Sequence, residues 1–220
     1  MSTPSPLLAA PRVHSDFVLQ RLHSVTGVVP LGAWLGLHLL AQAPMAWGGP
    51  EAWTRFSIFT KGPVAGLLTA ILVGFPLLFH AGFGVLLLRR RGLTAGRLPL
   101  AGNVVQTLQL ICSAILAVFL CLHLTQLRVV PFIRQLPLDV QTVQRALRPL
   151  LALDVYVAGV LAASFHLWAG IWTMLVRFGW TQSRASQRGS AWVCLACGVV
   201  MALLGLHVAA AFHDVRYVVP

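Results

Sequence analysis

Charged residues are scarce in this chain, and acidic residues are the scarcest of all. Of its 220 residues only 10% are charged, with five Asp and Glu against sixteen Lys and Arg, while 58% are hydrophobic and the mean hydropathy is +0.81. A soluble domain has about a quarter of its residues charged. The composition therefore excludes a surface that mostly faces water and predicts an integral membrane protein.

The chain also lacks the alternation of apolar and polar residues that is typical of a membrane β-barrel. It has instead apolar runs of about 20 residues or more, which is the length of a helix that crosses a bilayer. The five runs are 22–43, 64–88, 102–127, 151–176 and 190–213. Because backbone groups in lipid must be paired within the chain, these runs predict an all-α integral membrane protein with a bundle of five transmembrane helices.

We expect residues 17–213 to form this single membrane domain. Residues 1–16, which are rich in Pro, Ser and Ala, are predicted to be a loose cytoplasmic tail, and residues 214–220 a short outer tail. No cleavable signal peptide is expected, because the first apolar run is too long and no small-residue cleavage pattern follows it.

The excess of sixteen basic over five acidic residues does not indicate a nucleic-acid partner, because the arginines lie at helix ends rather than along one face. They are concentrated on the side that carries the N-terminus, above all in the run Arg89, Arg90 and Arg91 after the second apolar run. Short loops rich in Lys and Arg stay in the cytoplasm. The pattern predicts a cytoplasmic N-terminus and an outer C-terminus.

The two longer loops on the outer side carry signals of their own. Between the first two helices, Trp47 and Trp53 are typical of a segment at the membrane interface. Between the third and fourth helices, the apolar residues Val140, Val143 and Leu147 recur at helical spacing. They predict a short amphipathic helix with Gln144 on its polar side.

Four histidines lie inside the apolar runs, one in each of the first four: His38, His80, His123 and His166. An ionisable residue within a membrane helix is costly and indicates a functional site. A hydrogen bond between helices explains a single such histidine equally well, but it explains four in consecutive helices less well. Helix direction places His38 and His123 roughly 8 Å below the outer boundary, and His80 and His166 roughly 14–17 Å from the inner boundary, at about 1.5 Å per residue.

The sequence therefore predicts two pairs of histidines at two depths, His38 with His123 and His80 with His166. Two neutral imidazoles from facing helices are typical of six-coordinate haem iron, which serves electron transfer. Glycines near these positions indicate either the close walls of a flat macrocycle or ordinary packing of small residues; they are Gly27, Gly32, Gly36, Gly82, Gly84, Gly159 and Gly170.

Haem propionates are anionic and need cations or hydroxyl groups near a membrane surface. On the inner side the candidates are Arg21, His23, Ser24 and Arg177. Each of them is also explained as an ordinary residue of the membrane interface.

Segments of the first four helices also carry a family resemblance. The run that starts with Arg21-Leu22-His23-Ser24 and leads to His38 resembles the first helix of the succinate dehydrogenase/fumarate reductase cytochrome b subunits. The type that it resembles is the single-anchor dihaem membrane anchor, often called type B. Residues 76–85, 109–123 and 159–172 resemble the second, third and fourth helices of that family, and the resemblance covers about residues 17–212.

The resemblance implies that His38 and His123 hold a low-potential haem on the outer side, and that His80 and His166 hold a high-potential haem nearer the cytoplasm. Arg177 and Ser24 fall at positions of propionate contacts. His23 lies in the same motif but is not a ligand in the family.

The resemblance further implies a subunit of complex II in the bacterial inner (cytoplasmic) membrane, anchored among lipids. Its partners would be a flavoprotein subunit with FAD and an iron–sulfur subunit with its clusters. Electrons from succinate would reach two haem b groups in this chain and then a quinone, commonly menaquinone. Succinate itself would be oxidised in the partner subunit.

Two features of the family do not carry over cleanly. Some relatives have a glutamate two residues before the fourth histidine ligand, where this chain has Ser164. A carboxylate of the quinone site in the outer half does not align either, which leaves Glu51 and Asp154 as the nearest candidates. Asp154 is also explained as an acid favoured by the helix dipole near a helix N-terminus.

Two other classes of protein stay open at this point. The dihaem cytochrome b anchors of hydrogenases or formate dehydrogenases carry their ligands at other helices and spacings, which disfavours them. A haem-free transporter subunit would use intramembrane histidines for protons or a metal ion, but it gives no reason for two matched depths.

Overall fold

Helices account for nearly all of the chain that the computed structural model describes, which is residues 10–57, 62–91 and 100–214. The first helix, α1, comprises Ala10–Thr26, a π-helical turn at Gly27–Gly32 and a second α-helical part at Ala33–Gln42. The shorter α2 follows at Pro44–Ser57 and is kinked at Gly49, where φ is 69°.

The next two helices repeat the construction of α1. In α3, Pro63–Thr69 is followed by a π turn at Ala70–Gly74 and then by Phe75–Arg91. In α4, the long part Leu100–Leu124 is followed by a π turn at Thr125–Val129 and a short end at Val130–Ile133.

The remaining helices are uninterrupted: α5 at Val140–Leu147, α6 at Leu150–Arg177 and α7 at Arg184–His213. Five helices of the described chain are long and apolar enough to cross a membrane, namely Phe17–Gln42, Val64–Arg89, Val104–Ile133, Leu150–Arg177 and Arg184–His213. The predicted all-α fold with five transmembrane helices is confirmed. The orientation of the termini stays a prediction.

The structure begins α1 at Ala10, so residues 10–16 of the predicted tail are helical, while their place in a cytoplasmic tail stays a prediction. Pro11 stands in the first turn, where a missing N–H costs no helical hydrogen bond. Residues 1–9 and 215–220, the other parts of the predicted tails, lie outside the described residues.

Local signals in the sequence set the bounds of α6 and α7. Gly179 ends α6 with φ of 75°, and Trp180 N–H donates to the carbonyl of Leu175, which is the hydrogen bond of a glycine-terminated helix. Ser183 begins α7 with a capping box, in which its hydroxyl accepts from the backbone N–H of Ser186 at 3.0 Å. The turn between these helices is therefore short.

Each of the three π turns lies at or just before a proline. Pro30 is inside the first turn, Pro76 comes two residues after the second and Pro131 two residues after the third. Proline has no N–H to donate and its ring crowds the preceding turn of an α-helix. A π turn widens the helix by one residue at that point and so accommodates the proline.

The helices α6 and α7 pack along their length, α6 also packs on α4, and α1 packs on α3. The π turn of α1 contacts both α3 and α6. This arrangement brings α1, α3, α4 and α6, which carry the four histidines, around a common interior. Many large apolar side chains on the outside of the spans are exposed, among them Leu78, Val118, Trp192 and Leu203.

One end of the bundle is covered by α2 and α5, and we call it the capped end. Its buried core includes Met45, Trp53, Val143, Leu147 and Phe212. The amphipathic helix predicted between the third and fourth spans is confirmed, since it is present as α5 and buries its apolar residues.

Two expectations about the capped end were wrong in detail. Trp53 is only 4% exposed, and its indole N–H donates to Oε1 of Gln42 at 2.7 Å, so it belongs to the core rather than to a membrane interface. Trp47 is 72% exposed, as an interfacial residue would be. Gln144, placed on the polar side of α5, is buried.

Candidate functional site: two histidine pairs

The four intramembrane histidines lie in two pairs inside the bundle. His38 of α1 and His123 of α4 have ring centroids 6.0 Å apart, and their ring planes are at 88°. His80 of α3 and His166 of α6 have ring centroids 6.1 Å apart, and their ring planes are also at 88°. The structure thus brings together the same residues that the helix directions pair.

The two pairs lie toward opposite ends of the bundle. His123 contacts Phe119 and Tyr156, which belong to the core of the capped end. The other end, which we call the arginine end, is formed where Arg21 of α1 lies over Phe178 and Arg177 of α6 reaches back to α1. His80 and His166 are the pair nearer this end.

Three of the four imidazoles have a hydrogen-bond partner at Nδ1. Nδ1 of His80 lies 2.9 Å from the backbone carbonyl oxygen of His23. A carbonyl oxygen only accepts, so Nδ1 of His80 carries the proton and Nε2 keeps its lone pair. A histidine that ligates a metal is typically held in this way, with its other ring N–H donated to a carbonyl, a carboxylate or water.

His166 is oriented in the same way, by a hydrogen bond at its Nδ1. The hydroxyl of Ser113 donates its proton to the carbonyl of Gln109 at 2.7 Å, and Nδ1 of His166 lies 3.3 Å from that hydroxyl oxygen. The oxygen is then the acceptor and Nδ1 the donor, which again leaves Nε2 with its lone pair. Nδ1 of His123 lies 3.2 Å from the phenol oxygen of Tyr156.

The spacing of both pairs matches the requirement of an iron held between two imidazoles. A metal–imidazole bond is about 2 Å long, so two of them in line place the ring centroids about 6 Å apart. Within the described part of the chain, no group of three or more His, Cys, Asp or Glu side chains is arranged to hold a metal ion. Two protein ligands per site suit a macrocycle that supplies the other four.

Aromatic side chains flank the pair at the capped end. The indole of Trp34 is stacked on His38, with centroids 6.3 Å apart and planes at 25°. The ring of Phe119 lies 5.4 Å from that of His123 and 5.2 Å from that of Tyr156. None of these three aromatic residues was predicted from the sequence. Tyr156 lies ten residues before His166 on α6, and that spacing points to the other histidine pair only once α4 and α6 are known to be neighbours.

Three of the four predicted propionate contacts lie together at the arginine end. Nη1 of Arg177 donates to the hydroxyl of Ser24 at 3.1 Å. The guanidinium of Arg21 lies over the rings of Phe17 and Phe178, at 4.4 and 4.9 Å, and its buried Nε has no hydrogen-bond partner. A cation with an unused donor beside a hydroxyl suits a carboxylate.

The ring of His23, the fourth predicted propionate contact, lies against His80, and its role at a propionate stays a prediction. Its Nδ1 is 3.1 Å from Nδ1 of His80, and the two rings meet edge to face with centroids 4.0 Å apart. His23 is thus in contact with one of the paired histidines.

The two acids predicted for a quinone site lie on the surface. Glu51 forms an i,i+4 ion pair with Arg55 at 3.9 Å, with side chains 89% and 81% exposed, and contributes little to stability in such a setting. Asp154 is exposed in the second turn of α6. Their role in quinone binding stays a prediction.

The glycines near the histidines divide into two sets. At Gly27 a Cβ atom would collide with the ring of His80, and at Gly159 with the ring of Phe119. A Cβ at Gly32 would lie 2.7 Å from Leu167, whereas at Gly36 and Gly82 it would meet nothing within 4 Å. Close approach of aromatic rings therefore requires glycine at Gly27 and Gly159, whereas the end of the Leu167 side chain could move aside for a Cβ at Gly32.

Five apolar helices around paired histidines define the class of this protein, a multi-pass helical membrane protein with its candidate ligands inside the bilayer. A curated relative, the succinate dehydrogenase cytochrome b558 subunit of Bacillus subtilis (strain 168), is 30% identical over 200 residues, which cover 90% of this chain and 97% of the relative. The chain belongs to the family of succinate dehydrogenase cytochrome b subunits. No family model and no solved structure matches it.

Proposed function

We propose that this chain is the dihaem membrane anchor of a succinate:quinone oxidoreductase, complex II. In this role it passes electrons between an iron–sulfur subunit and a membrane quinone, with menaquinone the expected one. The observation that supports the proposal is the geometry of the two histidine pairs. In each pair the ring centroids lie about 6 Å apart, which is the spacing expected for two imidazoles on one iron. Membership of the succinate dehydrogenase cytochrome b family supports the source of the electrons.

Each haem, when bound, supplies reversible one-electron transfer, and the chain supplies the ligands and their setting. His38 and His123 would hold the haem at the capped end, and His80 and His166 the haem at the arginine end. Hydrogen bonds at Nδ1 fix the ring of His80 through the His23 carbonyl and that of His166 through Ser113.

Arg21, Ser24 and Arg177 would bind the propionates at the arginine end, because their donors lie together there. By the family resemblance this end faces the cytoplasm and the flavoprotein and iron–sulfur partners, in the inner membrane of a bacterium. Glu51 and Asp154 are the proposed acids of a quinone site near the opposite end. Succinate is oxidised in the partner subunit, and this chain conducts the electrons.

The first test is the haem content of the complex purified from membranes that overproduce it. We expect a reduced-minus-oxidised spectrum of b type and two haems for each copy of this chain. Succinate should reduce one part of the haem and dithionite the remainder. A preparation that contains the chain but shows no Soret shift on reduction would overturn the proposal.

The second test assigns the ligands. Replacement of His80 or His166 by Ala should remove one haem, and replacement of His38 or His123 the other, because each pair shares an iron. His207→Ala is the matched control, since His207 is an exposed histidine on α7, and it should keep both haems. Loss of the same haem from His38→Ala and His80→Ala would contradict the pairing.

A further inference from the structure

Two histidines and two glycines on α1 and α3 form a reciprocal contact. The ring of His80 lies over Gly27, where an added Cβ would collide with it. The ring of His23 lies against Gly84, where an added Cβ would be 3.5 Å from its Nε2. Each helix therefore presents a histidine and, four residues later, a glycine that receives the histidine of the other helix.

Hydrogen bonding makes this contact directional. Nδ1 of His80 carries a proton because it donates to the backbone carbonyl of His23 at 2.9 Å. Nδ1 of the His23 ring is 3.1 Å from the same nitrogen, so it is the acceptor there and its own proton is on Nε2. His23 thus offers His80 two acceptors, one from its backbone and one from its side chain.

The ring of His23 is itself held in place. It meets the ring of Phe83 edge to face, with centroids 5.8 Å apart, and Phe83 stacks on Phe79 at 5.7 Å. Phe83 is buried. The side chain of His23 is therefore packed between α1 and α3, beside His80.

We propose that His23 is a positioning residue for His80, which fixes the plane of the His80 imidazole and raises its basicity through the hydrogen bond at Nδ1. The proposal rests on the proposed function, in which His80 is a haem ligand. A second acceptor at Nδ1 makes a ligand imidazole a stronger electron donor, which favours the oxidised iron and lowers the reduction potential. A contact to a propionate has the opposite effect, because a donor or cation that neutralises the propionate raises the potential.

The experiment is a redox titration of the whole complex in membranes, with wild type, His23→Leu and His23→Asn compared. Leu removes the side-chain acceptor and leaves the backbone carbonyl, whereas Asn places an amide oxygen near the position of Nδ1. His207→Leu makes the same substitution at an exposed histidine and controls for the loss of an imidazole. Low-temperature EPR of the oxidised haems reports the relative orientation of the two imidazole planes.

We expect His23→Leu to raise the midpoint potential of the haem held by His80 and His166 by a severalfold change in its reduction equilibrium, where tenfold corresponds to about 59 mV for one electron. Its EPR signal should change, the other haem should stay as in the wild type, and His23→Asn should restore most of the potential. If His23→Leu loses that haem altogether, a wild-type-like haem in His23→Asn supports the proposal, and its loss there too overturns it.

An unchanged or lowered potential in His23→Leu, or a change confined to the other haem, would also overturn the proposal. A wild-type complex without two haems would instead contradict the proposed function, so the two failures are distinguishable.

Discussion

At the scale of single residues, the chain holds its paired histidines by contacts to their second ring nitrogen. The partner differs at each site: a backbone carbonyl for His80, a serine hydroxyl for His166 and a phenol for His123. Such partners orient a metal ligand and set its basicity. Substitutions of these partners should therefore change one haem at a time without removing a ligand.

Tyr156 allows the cleanest test at the capped end. Tyr156→Phe keeps the ring that packs on Phe119 and removes only the hydroxyl 3.2 Å from Nδ1 of His123. If Nε2 binds iron as proposed, Nδ1 is the donor to that hydroxyl, and loss of the hydroxyl would make the ligand less basic. We expect the midpoint potential of the haem proposed between His38 and His123 to rise while that of the other haem is unchanged.

The measurement is a redox titration followed in the visible spectrum. Phe119→Leu is the companion variant, since it alters packing on His123 but no hydrogen bond. A shift of equal size and sign in both variants would show that packing, rather than the phenol, sets the potential.

Gly27 gives a steric prediction. Gly27→Ala places a methyl group against the ring of His80, so the ring must move and the haem at the arginine end should be lost or weakly bound. Gly66→Ala on α3 is the control, because a Cβ there meets nothing within 4 Å and Ala favours a helix by about 1 kcal/mol over Gly.

Haem content per polypeptide, measured after purification, checks the Gly27 prediction. Both haems at wild-type occupancy in Gly27→Ala would mean that the contact between His80 and Gly27 does not persist in the loaded protein.

Among single residues, the sequence predicted the histidine pairs but not the contacts that orient them. Four histidines in four apolar runs were enough to predict the pairs. The contact of His23 with His80 was missed, although the spacing His-x-x-x-Gly occurs at His23–Gly27 and His80–Gly84, as it also does at His166–Gly170. That signal becomes meaningful only with antiparallel helices in one specific register, which composition and periodicity do not set.

At the scale of elements, three of the transmembrane helices contain a π turn, and the first one bears on the site. The turn at Gly27–Gly32 lies between His23 and His38, so it sets the rotation of one histidine relative to the other along α1. A π turn amounts to one extra residue in an α-helix. The helix lengths were predictable from hydropathy, but these turns were not, because a proline in a helix is equally compatible with a kink or an end.

Deletion of Pro30 tests this account. It removes both the extra residue and the proline, so α1 should become a regular α-helix with His23 and His38 on the faces they already occupy. Both haems should then be retained. Deletion of Leu37, an exposed residue between the turn and His38, should instead rotate His38 by about 100°, at 3.6 residues per turn, and abolish the haem at the capped end.

Haem stoichiometry and helix content by circular dichroism check both deletions. Loss of the capped-end haem from the Pro30 deletion, in a protein that still inserts and folds, would contradict the view that the turn is a one-residue insertion.

At the scale of the whole molecule, the exposed apolar surface and the scarcity of charge are both typical of a protein that spans a bilayer. Large apolar side chains cover the outside of the spans, where a water-soluble protein would not tolerate a continuous patch of that size. This much followed from the scarcity of charge alone. The cap formed by α2 and α5 could not be predicted from the composition. Tertiary contacts bury Trp53 and Gln144, and a local sequence pattern does not contain those contacts.

Orientation is the prediction that belongs to the whole molecule, and the chain is well suited to test it. Its cysteines Cys112, Cys121, Cys194 and Cys197 all lie in membrane spans, out of reach of a membrane-impermeant maleimide. Gln182→Cys adds an exposed thiol at the arginine end and Gln141→Cys adds one on α5 at the capped end. Because arginine-rich short loops stay in the cytoplasm, we expect only Gln141→Cys to be labelled in intact spheroplasts and both variants after permeabilisation. Labelling of Gln182→Cys alone in intact spheroplasts would show the opposite orientation. The Arg177–Ser24 contact, with the haem proposed beside it, would then lie on the side away from the proposed partner subunits.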